Sequence, residues 1–214
     1  MPEIDRASFN RLYVWDKQMG KGESGPDEWA LDLLRADLDF RGEPLIMELP
    51  RSTPAVEAAL AAGVNFRRRK TDGSTVLFCT SFGQYNYSTD GFALLAHHLA
   101  QFGEIDLTEE EGLTALSVQV KFGNIEHART LLELGANPNS FGVIESYGNA
   151  HLYVSTQAIN VLADALDEKR DQLSVALLQL LKDYGLNPPP AEREKLKSAT
   201  LNRPIVHGWL LANL

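Results

Sequence analysis

Three sets of residues in this chain have types and spacings that could do chemistry. "GKGESG", Gly20 to Gly25, has the Gly-x-Gly-x-x-Gly spacing of a loop that admits a pyrophosphate to the backbone at a helix N-terminus. His97 and His98 offer imidazoles for proton transfer or zinc, and Cys79 offers a thiol that could pair with His97 as a nucleophile. Each fails on its setting. A dinucleotide loop needs a buried apolar strand directly before it, whereas polar "DKQM" precedes Gly20 and no strand-helix-strand alternation follows. Glu23, Asp27 and Glu28 would also repel phosphate at the start of the next helix. Adjacent histidines on a helix point about 100° apart and cannot share one metal. There is no His-Glu-x-x-His, and Cys79 has no second cysteine with which to bind zinc. A lone buried cysteine is ordinarily inert packing. The expectation is a flexible loop at Gly20–Gly25, no cofactor, no metal and no catalytic residue. An enzyme hidden in the N-terminal segment is the catalytic alternative.

Composition narrows the remaining classes. The chain has 214 residues, 44% of them apolar, which is ordinary for a globular protein of one large or two small domains. No run approaches the roughly 20 apolar residues of a membrane span, and the acidic, polar N-terminus does not read as a secretory signal. One cysteine excludes an internal disulfide framework and fits a reducing compartment. A net charge of −9 argues against nucleic acid or an anionic membrane as principal partner. The expected location is the cytoplasm, and a monomer is favoured.

The elements that must position any site show themselves at their ends. "LLELGANPN", Leu131 to Asn139, packs leucines up to Gly135 and then cannot continue as a helix. Glycine is the residue that takes the left-handed conformation of a helix C-cap without steric penalty. The same arrangement recurs at Gly63 in "AALAAGVNF", at Gly103 in "HHLAQFGEI" and at Gly185 in "LLQLLKDYGLNP". The spacings, 40, 32 and 50 residues, read as one near-exact and two expanded copies of a period of about 33.

The residues between the stops identify the repeat. In "EGLTALSVQVKFGNIEHARTLLELGANPN", Gly112, Thr114, Leu116, Gly123, Asn124, Glu126, Leu131, Leu132, Gly135, Ala136, Asn137 and Asn139 fall in register with the ankyrin pattern, and the stretch resembles an ankyrin repeat. Ala115 and Ser117 depart from the pattern's Pro and His, and Gln119-Val120 replaces two small residues. Weaker copies begin at Asp72 and at Tyr147, the first carrying an insertion of seven residues, "FGQYNYS". The resemblance implies an all-α ankyrin-repeat solenoid. Its repeats would run over about 54–71, 72–110, 111–146 and 147–190, with a C-terminal cap at 191–214. Residues 1–53 would form an N-terminal helical cap. There "SGPDEWALDLLRADLDF" reads as a helix with Pro26 in its first turn, while "ASFNRLYVWDKQM" fits helix or strand. Ile125, Ala128, Leu131 and Leu132 are expected between repeats, in the core.

Such a resemblance also implies a non-catalytic protein-binding module, reading its partner with hairpin tips and the inner face of each first helix. Carried onto this sequence, the partner-binding positions are Asp72 and Ser74, then Glu110, Glu111 and Leu113, then Lys121 and Phe122, with the inserted Tyr85 and Tyr87 and the later Tyr147. Charge adds Arg67, Arg68, Arg69 and Lys70 on a basic tip facing an acidic one of Asp106, Glu109, Glu110 and Glu111. These tips either pair with one another or select a partner by charge. The implied roles are an inhibitor or immunity-type protein that occludes a cognate, basic effector, or a regulatory adaptor that links two proteins.

Overall fold

The computed structural model describes residues 2–78, 88–144, 150–161 and 167–214. The chain divides into two compact units, residues 1–109 and 110–214. Both are mostly helical. Among the described residues no helix is long and apolar enough to cross a membrane.

Unit 1 contains α1 (Arg6–Lys21), α2 (Glu28–Arg35), β1 (Asp39–Phe40), β2 (Glu43–Pro44), α3 (Thr53–Ala61) and α4 (Thr89–Ala100), with single 3-10 turns at Leu45–Met47 and Val76–Phe78. α3 packs against α1, α2 and α4. The core is built from Leu12, Leu34, Leu45, Leu49, Val56, Phe66, Leu77, Phe92, Leu95 and Leu99, all essentially inaccessible to solvent. "ASFNRLYVWDKQM" resolves as helix: Asp5 caps it by accepting from Ser8 N at 2.8 Å, and Leu12, Trp15 and Met19 line its buried stripe. Asp16, on the same helix, is buried and accepts from Arg51 N, Ser52 N and Ser52 Oγ at 2.9–3.1 Å. One carboxylate thereby fastens α1 to the start of α3.

Three details of this unit differ from expectation. The glycine-rich stretch is not wholly a loop, because α1 runs through Gly20 and Lys21 and ends on Gly22 at φ +70°. Pro26 stands before α2 rather than in it, since Asp27 is the cap and accepts from Trp29 N at 2.9 Å. That helix also stops at Arg35: Asp37 takes φ +57°, and the chain turns into an antiparallel hairpin with Phe40 opposite Glu43. The N-terminal segment is therefore not purely helical.

Unit 2 contains α5 (Ala115–Lys121), α6 (Ile125–Glu133), β3 (Phe141–Ile144), β4 (Ala150–Tyr153), α7 (Val154–Ile159), α8 (Asp167–Asp183), α9 (Pro190–Ala199) and α10 (Pro204–Asn213). The helices pack in sequence, α5 on α6 and α7, α7 on α8, and α8 on α10. β3 and β4 form a second antiparallel hairpin, with Phe141 opposite Tyr153. Leu116, Val120, Leu131, Leu177, Leu178, Leu181 and Leu210 fill the core. Of the positions expected between repeats, Ala128, Leu131 and Leu132 are buried and Ile125 is half-buried.

The four glycine stops share one hydrogen-bond pattern. Gly63, Gly103, Gly135 and Gly185 have φ between +71° and +92°. In each case the following residue donates to the carbonyl five positions back, as Val64 does to Ala59 and Ala136 to Leu131. The glycine itself donates to the carbonyl three back, as Gly135 does to Leu132 and Gly185 to Lys182. These bonds satisfy the last carbonyls of each helix and require the left-handed residue found there.

Gln119 explains one departure from the repeat pattern. Its fully buried amide oxygen accepts from Asn124 Nδ2 at 2.9 Å and meets His127 Nδ1 at 3.1 Å, so a large polar residue is satisfied in the interior. Burial depresses the His127 pKa to about 4, against a small opposing effect of Glu126. The folded state therefore binds fewer protons than the unfolded chain between pH 4 and 6.5. Stability contributed by neutral His127 is full above pH 6.5 and is lost as pH falls towards 4. The expected loss is up to about 3 kcal/mol. Urea titrations of wild type and His127→Gln at pH 7, 5.5 and 4 check this: the wild type should lose more stability than the variant across that range.

Candidate functional site

The basic tip of unit 1 is a tight turn made by local bonds. Lys70 N donates to Ser74 O, Gly73 N donates to Lys70 O, and Asp72 Oδ1 accepts from Ser74 N, all within 2.8–3.0 Å. Gly73 has φ +86°, and a Cβ there would stand 3.5 Å from Thr108 O and from Glu109 Cα. The positive φ is what calls for glycine, and the turn lies in ordinary van der Waals contact with the chain at 108–109.

The four cations before that turn do not act alike. Arg67 Nε donates to Glu104 at 2.6 Å, and its guanidinium lies over the Phe102 ring at 4.5 Å. Arg68 is nearly buried, its side chain only 12% exposed, and pairs with Asp39 at 2.8 Å and Asp37 at 3.3 Å. It also donates to the Asp37 carbonyl at 3.0 Å. Arg68 is thus a tie to the α2–β1 connection. Arg69 is exposed and Lys70 half-exposed. Asp72 accepts from Ser74 N within the turn, and Ser74 is buried.

The acidic tip of unit 2 has the same construction. Gly112 has φ +78°, and its Cβ position lies 3.4 Å from Gly142 Cα. Glu111 O accepts from Val143 N at 2.7 Å, so the turn at 110–113 and the start of β3 run side by side. Gly142 has no room for a side chain: a Cβ would fall 2.6 Å from Glu111 O and 2.7 Å from Leu113 Cδ2. Leu113 therefore packs on this neighbour and is half-buried. Thr114 caps α5 by accepting from Ser117 N at 3.3 Å and meets Ser140 Oγ at 3.1 Å. Glu110 is exposed, and Glu111, Lys121 and Phe122 are half-exposed, the last two at the end of α5.

Within unit 2 the structure thus brings Glu110, Glu111 and Leu113 onto one turn and Lys121 and Phe122 onto the far end of the helix that follows it. Tyr85, Tyr87, Tyr147 and Cys79 lie outside the described residues. His97 is exposed and its Nδ1 meets Ala93 O at 2.8 Å, whereas His98 sits between the rings of Phe66 and Phe102. Among the described residues no three of His, Cys, Asp and Glu converge as a metal site would require. Sequence reasoning passed over Arg6, Phe9, Tyr13, Phe40, Arg41 and Glu43, which line one cleft in unit 1. The available signal was Arg41-Gly42, a glycine-containing turn between two extended dipeptides. No protein-family model matches the chain, and no curated protein matches it in sequence.

Proposed function

We propose that this protein is a non-catalytic, ankyrin-type binding module of the cytoplasm that inhibits a basic effector protein by covering its active surface. The carrying observation is the pair of glycine turns, at Gly73 and Gly112, each laid backbone to backbone against a neighbouring segment. That packing holds the turn rigid and sends Arg69 in one unit and Glu110 in the other into solvent. Rigid, charged tips select a partner by complementarity and lose little entropy on binding. The repeated glycine caps and the net charge of −9 support the same reading, with a cationic partner favoured.

The test is affinity capture from a lysate of the source organism, using wild type beside Glu110→Lys and Phe122→Ala, each with an unchanged circular dichroism spectrum. A basic protein should be retained by wild type and at least about tenfold less by Glu110→Lys, the scale of one interfacial charge reversed. Its activity should fall in proportion to the complex formed. A partner retained with its activity unchanged would make the module an adaptor. Equal retention by all three proteins would remove the tips from recognition.

A further inference from the structure

α10 buries one side only. Val206 and Leu210 are fully covered, and Arg203, just before the helix, turns inward to Asp171. The face opposite them holds Pro204, Ile205, Gly208, Leu211 and Ala212, all exposed, Ile205 by 42% and Leu211 by 61%. At 3.6 residues per turn these five span an arc of about 120° centred on Gly208. A surface helix ordinarily keeps polar and charged residues on that side. Between Pro204 and Asn213 this one has no acid, lysine or arginine. Its histidine, His207, lies to one edge of the stripe, where Nδ1 meets Lys197 O at 3.1 Å. Trp209 borders the other edge and donates its Nε1–H to Gln179 Oε1 at 3.1 Å.

Gly208 is the second departure from an ordinary surface helix. It lies inside α10, has no positive φ, and a Cβ there would meet nothing within 4 Å among the described residues. Glycine in a helix interior is destabilising relative to alanine, and the packing of this unit does not call for it. What it permits is close approach, because the distance between two crossing helices is set by the side chains at the contact point.

The order of residues about Gly208 selects the occupant. Three positions to either side stand the large aliphatic residues Ile205 and Leu211, and four to either side the smaller Pro204 and Ala212. A stripe that reads alike in both directions is self-complementary, as a two-fold contact between identical chains requires. We propose that α10 is a homodimer contact. Two copies cross antiparallel at Gly208, with Ile205 of each against Leu211 of the other and Pro204 against Ala212. The lack of charge bears on this choice: copies of net charge −9 repel one another, and a contact through a neutral face sets no like charges together. A ten-residue helix is about 15 Å long. The interface therefore falls below the roughly 1,200 Å² of a standard one, and the dimer is weak, with a Kd on the order of 10–100 µM. The contact uses none of the tip residues, so it stands apart from the protein-binding reading, and it departs from the monomer favoured by the sequence.

Sedimentation velocity of the full chain, from about 5 to about 500 µM so as to bracket that Kd, tests it. The weight-average mass should rise from 23.7 kDa towards twice that value. Leu211→Glu, at a site already open to water, should keep the circular dichroism spectrum and urea midpoint of wild type. It should raise Kd at least about tenfold, because it sets a carboxylate against Ile205 of the other copy. Gly208→Cys in a Cys79→Ser background should form a disulfide-linked dimer on treatment with diamide, since the two-fold brings position 208 against itself. Asn202→Cys, equally exposed but away from the axis, should not. The proposal is overturned by a single 23.7 kDa species across the range, by association that Leu211→Glu leaves intact, or by Gly208→Cys cross-linking no faster than Asn202→Cys. Binding of a monomeric chain to phosphatidylcholine–phosphatidylserine vesicles, lost in Leu211→Glu, would assign the stripe to a membrane surface and overturn it as well.

Discussion

Replacing Arg203 by alanine is expected to remove about 3–5 kcal/mol of stability, the cost of stripping one partner from a buried ion pair. Arg203 precedes α10 and gathers three acceptors from two other elements: Asp171 Oδ1 at 2.8 Å, Ser174 Oγ at 3.1 Å, and the Ile159 carbonyl. Asp171 and Ser174 are themselves buried, so alanine leaves a carboxylate and a hydroxyl away from water with nothing to replace the guanidinium. Arg203→Lys keeps the charge but cannot reach three acceptors with one fork, and should fall between wild type and alanine. A double replacement, Arg203→Met with Asp171→Leu, should recover much of the loss, since the largest cost is the orphaned charge. Trp209 is the single tryptophan beyond residue 109, so urea unfolding followed by fluorescence in a Trp15→Phe, Trp29→Phe background reports unit 2 directly. An Arg203→Ala midpoint within error of wild type would show that the network contributes nothing.

Leu131→Ala should cost about 2–5 kcal/mol in the same assay. Leu131 is fully buried on α6, where that helix meets α5 and α8, and its carbonyl also closes the cap at Gly135 by accepting from Ala136 N. Alanine keeps the cap bond and the helix, so the loss is that of side-chain volume and the cavity left behind. Leu131→Met, which keeps the volume, should cost less than about 1.5 kcal/mol. Comparable losses for Met and Ala would mean that the site tolerates no rearrangement, and negligible losses for both would mean that the neighbours collapse into the gap.

The parts of the fold that were legible are those with local causes. A left-handed cap needs only a glycine after an apolar run, and all four such glycines take that conformation. The same holds for α6, whose period and boundaries lie within a dozen residues of sequence. The N-terminal hairpin was not legible because its turn carries Arg-Gly rather than the usual Asn-Gly, and because two-residue strands have no period to detect. The place of Gln119 was not legible either, because it depends on Asn124 and His127, which satisfy its amide oxygen.

Less of the candidate site could be read. Arg67 through Lys70 are four similar letters, yet Arg68 is committed to Asp37 and Asp39, some 30 residues earlier, while Arg69 projects into solvent. Burial of Ser74 and the convergence of α1 with Arg41 and Glu43 likewise depend on tertiary packing, which spacing along the chain does not encode.

The glycine caps also bear on how this protein can change over generations. At Gly63, Gly103, Gly135 and Gly185 an added Cβ would meet nothing within 4 Å, so there is no clash for a neighbour to relieve. The penalty is carried by the backbone alone, about 1–2 kcal/mol for a side chain in the left-handed region. A missense change at these codons therefore carries a backbone penalty, least for Asp or Asn and greatest for a β-branched residue, and no second mutation nearby can compensate by making room. With two such codons in each unit and a total margin of the order of 5–15 kcal/mol, lineages have little freedom at these four sites, however fast the exposed tips between them diverge.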